Sequence, residues 1–292
     1  MSYKPVVAVI GINGLLGKPV LEALTSEKFS GNYSLPVRAI SRKKSDKEDS
    51  ELIKYYEGFD SDSYKKALAG ADVVISLTGT PSQEVLDAVI ATKPKLYIPS
   101  QFGTDLSKPL FVPVLDLKVQ HSKAARDAGI KVVDVYTALF AKEGSFLYEI
   151  IAHVGADVQN KKVRYVGDPH TKFNFSTFPD IANTLAVLAS KEPSSIPDTI
   201  RIYSGVTDQE SVIKRYEQSH GIKFETSTIS LDDAIAEAKE RFSKWTDFNI
   251  QDFFFFLQVF AAGGEGKGVA FVTDNEREFV NPGESIFKWG QL

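Results

Sequence analysis

Apolar residues fill positions 6–10 without interruption, in the order Val-Val-Ala-Val-Ile. Such a run of small and β-branched residues predicts a strand that is buried on both faces, as in a parallel sheet covered by helices. Beyond the next turn, Leu16, Val20, Leu21 and Leu24 recur at spacings of three and four. That spacing predicts an amphipathic helix, so the first predicted unit is a strand, a turn and a helix.

The same alternation of short apolar runs and helical patterns continues along the first half of the chain. Strands are predicted at 37–41, 53–58, 73–79, 96–99 and 132–137, and helices at 62–68, 83–91 and 114–128. Successive strand and helix units form a parallel sheet with helices on both faces. The pattern therefore predicts an α/β fold, with a doubly wound parallel-sheet Rossmann domain.

The second half of the chain has a weaker pattern, with helices predicted at 146–154, 180–190 and 230–244. We expect a smaller α+β substrate domain there, formed by 144–175 and 207–292. Residues 1–143 are expected to form the Rossmann domain, and residues 176–206 to return to it. The phenylalanines of 253–256 occupy every side of a helix, which predicts burial in the core or against a partner.

Three glycines follow the first strand at intervals of three residues. Gly11 allows a sharp turn, Gly14 removes a side chain where a diphosphate would approach, and Gly17 lets the next helix pack against the sheet. The diphosphate would lie at the helix N-terminus. The cofactor contacts predicted in this turn are Gly11, Asn13, Gly14, Leu15, Leu16 and Gly17. The alternative is a retained fold whose binding site has decayed.

The end of the second predicted strand bears on the choice of cofactor. Enzymes that select NAD commonly place a carboxylate here to bind the ribose hydroxyls, whereas this chain has Ser41, Arg42 and Lys43. Two cations and a hydroxyl suit a 2′-phosphate, so the sequence predicts NADP(H). The alternative is an ordinary charged loop in contact with solvent.

Composition excludes several other classes of function. The net charge is −4 and basic residues are scattered, which gives no electrostatic reason to expect a nucleic acid or an acidic membrane surface as partner. There is no cysteine, and no two of the four histidines have helical ligand spacing, so we expect no metal site. The densest apolar run is too short to span a bilayer, and we expect no signal peptide, because the residues before the first strand are too few to hold one. We expect a cytoplasmic protein, with the nucleus as the alternative.

Further candidate residues lie where strands of the predicted sheet end, because ligands bind at the carboxyl edge of such sheets. Thr78 and Gly79 end the fourth strand, and Gln101 and Phe102 follow the fifth. Lys118 lies in the next helix, where a lone lysine is most often a solvated charge. An aromatic ring at Phe140, after the sixth strand, is placed to cover a nicotinamide.

Several of these features together resemble the NmrA-like and isoflavone-reductase-like family, an atypical branch of the short-chain dehydrogenases. The resemblance is carried by the glycine triplet, the basic end of the second strand, the loop 99–103, Lys118 eleven residues before Gly129, and the segment 139–141. It extends over roughly the first 190 residues and fades beyond Thr207.

The resemblance implies roles for individual residues. A lysine matching Lys118 is the proposed general acid or base of the reductases in this family, and the loop matching 101–103 lines the nicotinamide. Gln101 stands where the family more often has Glu, so no carboxylate is expected to hold the Lys118 ammonium there. No tyrosine has Lys four residues later, which excludes the Tyr-x-x-x-Lys mechanism of ordinary short-chain dehydrogenases.

The leading hypothesis is an NADPH-dependent reductase of a small, largely apolar carbonyl, quinone or conjugated substrate. Lys118 would donate a proton or stabilise the developing oxyanion. The alternative is an NADP-binding regulatory protein without turnover, as some NmrA-like members are. The residues considered for substrate contact are Phe140, His170, Phe173 and Phe178, with core packing as the alternative for the aromatic ones.

Overall fold

The computed structural model describes residues 4–43, 48–108, 110, 116–142 and 149–292. Its strands are β1 Val6–Ile10, β2 Ser34–Ser41, β3 Ile53–Glu57, β4 Val73–Ser76, β5 Leu96–Ile98, β6 Asp134–Tyr136, β7 Leu139–Ala141, β8 Ala156–Asp157, β9 Lys162–Val166, β10 Lys172–Thr177, β11 Thr199–Arg201, β12 Gly205–Asp208 and β13 Glu225–Ile229. Its α-helices are α1 Gly17–Thr25, α2 Ser61–Leu68, α3 Gln83–Thr92, α4 Asp116–Asp127, α5 Phe178–Ser190, α6 Gln209–His220, α7 Leu231–Ser243, α8 Ile250–Ala262 and α9 Arg277–Val280.

The central sheet has the strand order β3-β2-β1-β4-β5, and all its neighbours are parallel. A parallel bridge between Tyr97 and Val132 extends the sheet toward β6, which pairs with β11. The chain thus runs outward from β1 in one direction and then in the other. This is the doubly wound topology that the repeated strand and helix units predict, so the fold-class prediction is confirmed.

Alternate residues of β1 enter different layers of the core. Val7 and Val9 pack in the cluster formed with α1 and α5, whereas Ala8 and Ile10 pack in the cluster formed with α2, α3 and α4. Both faces of β1 are therefore covered by helices, which is why its sequence is apolar at every position.

A separate hydrophobic cluster lies outside this sheet, around β7, β9, β10 and the helices α6 to α8. Phe255 and Phe256 are buried in it, while Phe253 and Phe254 are half-buried. The helix α5 packs against α1, and the assignment of 176–206 to the first domain stays a prediction. The domain boundaries themselves stay a prediction, and residue 143 lies outside the described residues, as do the first residues of the predicted helices at 114–128 and 146–154.

The turn between β1 and α1 depends on two of its glycines. Gly11 has a φ of +85°, a left-handed conformation that glycine adopts without strain. A Cβ on Gly17 would lie 1.9 Å from the carbonyl oxygen of Ile12, so no side chain fits at this position. Gly17 was expected to let α1 pack against the sheet. Instead, the space that a side chain would need at Gly17 is occupied by the backbone of Ile12, in the turn before α1.

We expect Gly17→Ala to lower the free energy of unfolding by roughly 2 kcal/mol or more, because the added methyl group would force the turn away from the helix. Gly31→Ala is the matched control, since a Cβ there would meet no atom within 4 Å. Denaturant unfolding of both variants measures the difference. Equal stabilities would show that the contact with Ile12 can relax without cost.

Candidate active site

A cleft of about 860 Å³ lies beyond the carboxyl ends of β1 and β4. The direction of winding reverses between these strands, and this is where parallel α/β sheets bind their ligands. Three separate segments contribute predicted contacts to it: Gly11, Asn13 and Gly14 from the first turn, Ser41, Arg42 and Lys43 from the end of β2, and Thr78 and Gly79 from the end of β4. The fold therefore brings together residues that lie far apart in sequence.

The backbone of the first turn is suited to a ligand that approaches closely. Gly14 donates its N–H to the carbonyl of Gly11 at 3.0 Å, which tightens the turn at the head of α1. A Cβ on Gly14 would lie 3.3 Å from that carbonyl oxygen, and one on Gly79 would meet no atom within 4 Å. The two glycines thus leave space in the cleft beside the turn that leads into the nine-residue helix α1, and helix N-termini favour anions.

Arg42 and Lys43 are exposed at the edge of this cleft. No carboxylate of the described residues forms an ion pair with either of them. Ser41 is buried, and its hydroxyl donates to the carbonyl of Lys43 at 2.6 Å, so it supports the basic segment from behind. Glu84 also lines the cleft and accepts a hydrogen bond from Ser82 at 2.6 Å. Two cations and one carboxylate leave the edge with a net positive charge.

Other predicted residues lie away from the cleft. Leu15 is 51% exposed, while Leu16 and Gly17 are buried, and none of the three lines it. Phe102 is buried in the core of the sheet, where the half-buried ring of Phe140 packs edge-on against Phe178 with centroids 5.5 Å apart.

The remaining substrate candidates occupy the second half of the chain. His170 is exposed, with Nδ1 3.6 Å from a carboxylate oxygen of Glu210. Phe173 is fully buried in the separate hydrophobic cluster. Neither residue lines the cleft.

A second, much smaller cavity of about 10 Å³ adjoins the cleft, and Thr78 lines both. Gln101 and Lys118 line the small cavity, as do Tyr97 and His121. Lys118 is half-buried, and burial lowers the pKa of its ammonium to about 8. No carboxylate in the described ranges pairs with it. An ammonium that is removed from water and left without a counter-charge releases its proton readily, as a proton donor must.

The amide of Gln101 fixes the geometry beside Lys118. Its Nε2 donates to the backbone carbonyl of Lys118 at 2.8 Å and to the hydroxyl of Ser122 at 2.6 Å. Because a carbonyl can only accept, the orientation of the amide is determined, and Oε1 faces away from these partners. Oε1 is fully buried and has no partner among the described residues. Buried acceptors in native proteins nearly always have a hydrogen-bond partner, so Oε1 is an exception.

The polar network behind these residues could not be predicted from the sequence. Ser122 donates to Asp134 at 2.7 Å, and Arg126 forms an ion pair with the same carboxylate at 2.6 Å. The hydroxyl of Tyr97 lies 2.8 Å from Nε2 of His121. The available signal was the spacing of Lys118, His121 and Ser122, which places three polar residues on one helix face. The apolar residues of this helix gave no such signal, because Leu117 and Val119 are 69% and 41% exposed.

Among the described residues, no group of three or more potential ligands could hold a metal ion. No helix within the described ranges is long and apolar enough to cross a membrane.

The model of the NmrA-like family matches residues 3–261. No curated protein matches the chain in sequence. Among solved structures, isoflavone reductase superposes with a TM-score of 0.67 at 19% identity, covering 88% of this chain and 87% of that one. The complex of leucoanthocyanidin reductase from Vitis vinifera with NADPH gives a TM-score of 0.67 at 18% identity, covering 92% and 90%. The triphenylmethane reductase of Citrobacter sp., complexed with NADP(H), gives 0.60 at 14% identity, covering 95% of both chains. At these identities the likeness shows the fold alone.

The lowered pKa of Lys118 predicts a pH dependence of stability. Between pH about 8 and the ordinary lysine pKa of 10.5, the unfolded chain binds a proton at Lys118 that the folded chain does not. The free energy of unfolding should therefore gain a component that rises with pH across this window. Denaturant unfolding of wild type and Lys118→Met at several pH values measures it. The difference between the two proteins should change in favour of wild type as pH rises, and a constant difference would contradict the lowered pKa.

Proposed function

The chain belongs to the NmrA-like family, and from this membership we propose that it is an NADPH-dependent reductase of small, largely apolar carbonyl, quinone or conjugated substrates. The observation that carries the proposal is the position of Lys118, half-buried beside the cavity that adjoins the cleft. Two structural relatives were solved with NADPH or NADP(H), which supports the same cofactor for this chain.

The described residues fit this cofactor. Gly11, Gly14 and the head of α1 would hold the diphosphate, and Arg42 and Lys43 would hold the 2′-phosphate. In the same proposal, Asn13, Leu15, Leu16 and Gly17 belong to the binding turn, and Ser41 supports the basic segment. Thr78, Gly79 and Gln101, which line the cleft or the small cavity, would lie beside the nicotinamide, whereas Phe102 and Phe140 stay candidates from the sequence alone. When bound, NADPH supplies a hydride.

The chain's own residues would supply the proton. The Nζ of Lys118 donates it to the substrate oxygen or stabilises the negative charge that develops there. A pKa of about 8 keeps most of this lysine protonated at neutral pH and still allows release. The hydrogen bond from Gln101 to the Lys118 carbonyl holds this turn of α4 in place, which limits the positions that Nζ can occupy.

The substrate region is part of the same proposal. Phe140 and Phe178 pack against each other in the core, and both stay substrate candidates from the sequence alone. His170 and Phe173 stay candidates from the sequence alone, and so does the assignment of 144–175 and 207–292 to substrate binding. The cytoplasmic location stays a prediction.

We expect the protein to bind NADPH more tightly than NADH, because Arg42 and Lys43 can pair with the extra phosphate. Arg42→Ala should weaken NADPH binding by about tenfold or more, the effect of losing one hydrogen bond to a charged group, and leave NADH binding unchanged. Calorimetric titration with both cofactors tests this. Lys244→Ala, which removes an exposed cation from α7's C-terminal end, is the control for net charge. Equal wild-type affinities for the two cofactors would refute the 2′-phosphate site.

Lys118→Ala should lower turnover by about a hundredfold or more, because a positioned proton donor is lost. Lys118→Arg should fail as well, since a guanidinium keeps its proton at any working pH. NADPH oxidation against a panel of quinones, aldehydes and enones measures both effects, and cofactor affinity should change much less.

The same panel separates an enzyme from a regulatory protein. A wild-type protein that binds NADPH but oxidises it with no acceptor would favour the regulatory alternative. Full activity of the Lys118→Arg variant would show that a positive charge is sufficient for the reaction without proton transfer.

A further inference from the structure

The segment 101–108 follows β5 and carries Gln101, which bonds to the turn of α4 that bears Lys118. This segment contains no helix or strand. At Gly103 the φ is +130°, and a Cβ there would meet no atom within 4 Å, so glycine is needed for this backbone angle and not for space. Because local structure does not hold such a segment, the position of Gln101 depends on contacts made along it.

Asp105 makes a charged contact of this kind. Its side chain is 1% exposed, and Oδ2 accepts a hydrogen bond from Nε of Arg201 at 2.7 Å. Oδ1 accepts from the backbone N–H of Ser107 at 2.9 Å and from its hydroxyl at 2.6 Å. Both oxygens are therefore bonded, and the carboxylate is fixed in distance and direction relative to β11.

Arg201 is itself held at several points. Its backbone N–H donates to the carboxylate of Glu276 at 2.6 Å, and its carbonyl accepts from the N–H of Glu276 at 2.9 Å. Its Nη1 lies 3.6 Å from a carboxylate oxygen of Asp274 and 3.7 Å from one of Glu276. Since β11 also pairs with β6, the group to which Asp105 is tied belongs to a well-anchored strand.

The same segment contacts both halves of the chain. The N–H of Asp105 donates to the carbonyl of Gly268 at 2.8 Å, and the N–H of Gly268 donates to the carbonyl of Lys108 at 3.1 Å. Phe102 packs in the core of the sheet, whereas Leu106 packs against the separate hydrophobic cluster. The segment therefore connects two cores, and Asp105 lies between the residues that enter them.

We propose that Asp105 is a positioning residue for Lys118: its ion pair with Arg201 fixes the segment 101–108, and Gln101 transmits that position to the turn of α4 that carries the lysine. The proposal rests on the proposed function, because only there does Lys118 transfer a proton. A buried ion pair adds little net stability compared with apolar packing, but its bonds are directional. The contribution of this pair is accordingly to geometry more than to stability.

The first test separates turnover from cofactor binding. Asp105→Asn removes the charge and keeps the shape of the side chain. It should lower kcat for NADPH oxidation by about tenfold or more, because a displaced donor is less often in the productive position. KM for NADPH should stay unchanged, since the cleft is lined from the ends of β1, β2 and β4. An unchanged kcat would show that the backbone bonds of the segment suffice, and would overturn the proposal.

Asp72→Asn is the matched control. The Asp72 carboxylate pairs with Lys95 at 2.9 Å and accepts from the N–H of Val6 at 2.9 Å, at the amino edge of the sheet, opposite the cleft. This variant also loses a bonded carboxylate, and its kcat should equal that of wild type. A similar loss of kcat in both variants would mean that any lost ion pair has this effect, which would overturn the specific role of Asp105.

A double-mutant cycle tests whether Asp105 acts through Gln101. If it does, Asp105→Asn adds nothing once the amide is gone, so Gln101→Ala and the double variant should have kcat values within about twofold of each other. Losses that multiply would show that the two residues act independently, which would overturn the proposed route.

A last test does not depend on turnover, so it separates failure of this proposal from failure of the proposed reductase. NMR titration follows the Lys118 ammonium in the protein without ligand. In Asp105→Asn its pKa should move from about 8 toward the ordinary 10.5, because a loosened turn lets water reach the amine. Asp72→Asn should leave this pKa unchanged. Arg201→Lys, which keeps the cation but lacks the Nε donor, should act as Asp105→Asn does, to a smaller degree.

An unchanged Lys118 pKa in Asp105→Asn and Arg201→Lys would overturn the positioning role even in an active enzyme. A raised pKa in a protein that turns over no substrate would support the positioning role and count against the reductase. Chemical shifts of residues outside the segment 101–108 and α4 show that the variants remain folded.

Discussion

The position of the main cleft follows from the pairing of β1. Its backbone bonds to β2 on one side and to β4 on the other, in the same direction, so both of its edges are satisfied and both of its faces are covered. The connections must then leave to opposite sides, and their first turns separate at the carboxyl end of β1. The cleft is the space that this separation leaves, and the glycines of the first turn keep it open.

A second constraint places Lys118 at the edge of that space. The inner face of α4 is polar, and its buried groups need partners because an unpaired polar group in the interior is costly. Ser122, Arg126 and Asp134 satisfy one another, and Gln101 connects this set to the backbone of Lys118. The helix is thus held to the loop after β5 and to β6 by directional bonds, which fix its rotation as well as its distance. A purely apolar contact would leave that rotation less defined.

The parts of this arrangement that depend on local periodicity could be predicted from the sequence. The fold could be predicted from the apolar run at 6–10 and from the spacing of Leu16, Val20 and Leu24, because both patterns follow from the burial of their own segments. The glycine triplet indicated the cleft, because it marks a turn without side chains. The network around α4 could not be found in this way. His121 and Ser122 are buried through pairing with Tyr97 and Gln101, which lie elsewhere in the chain, and apolar Leu117 and Val119 are exposed. His170 and Phe173 show the same limit. Their residue types alone do not indicate that His170 is exposed and that Phe173 is buried in the separate hydrophobic cluster.

The missing counter-charge of Lys118 among the described residues affects which ligand groups would be favoured beside it. A lysine paired with a carboxylate would present a neutral surface to a ligand, whereas this ammonium presents an uncompensated charge in a poorly solvated space. If two ligands of one shape reached Lys118 from the adjoining cleft, the one whose oxygen more readily carries negative charge would be held more firmly. Selection at this position would therefore depend on the acidity of the ligand as well as on its shape.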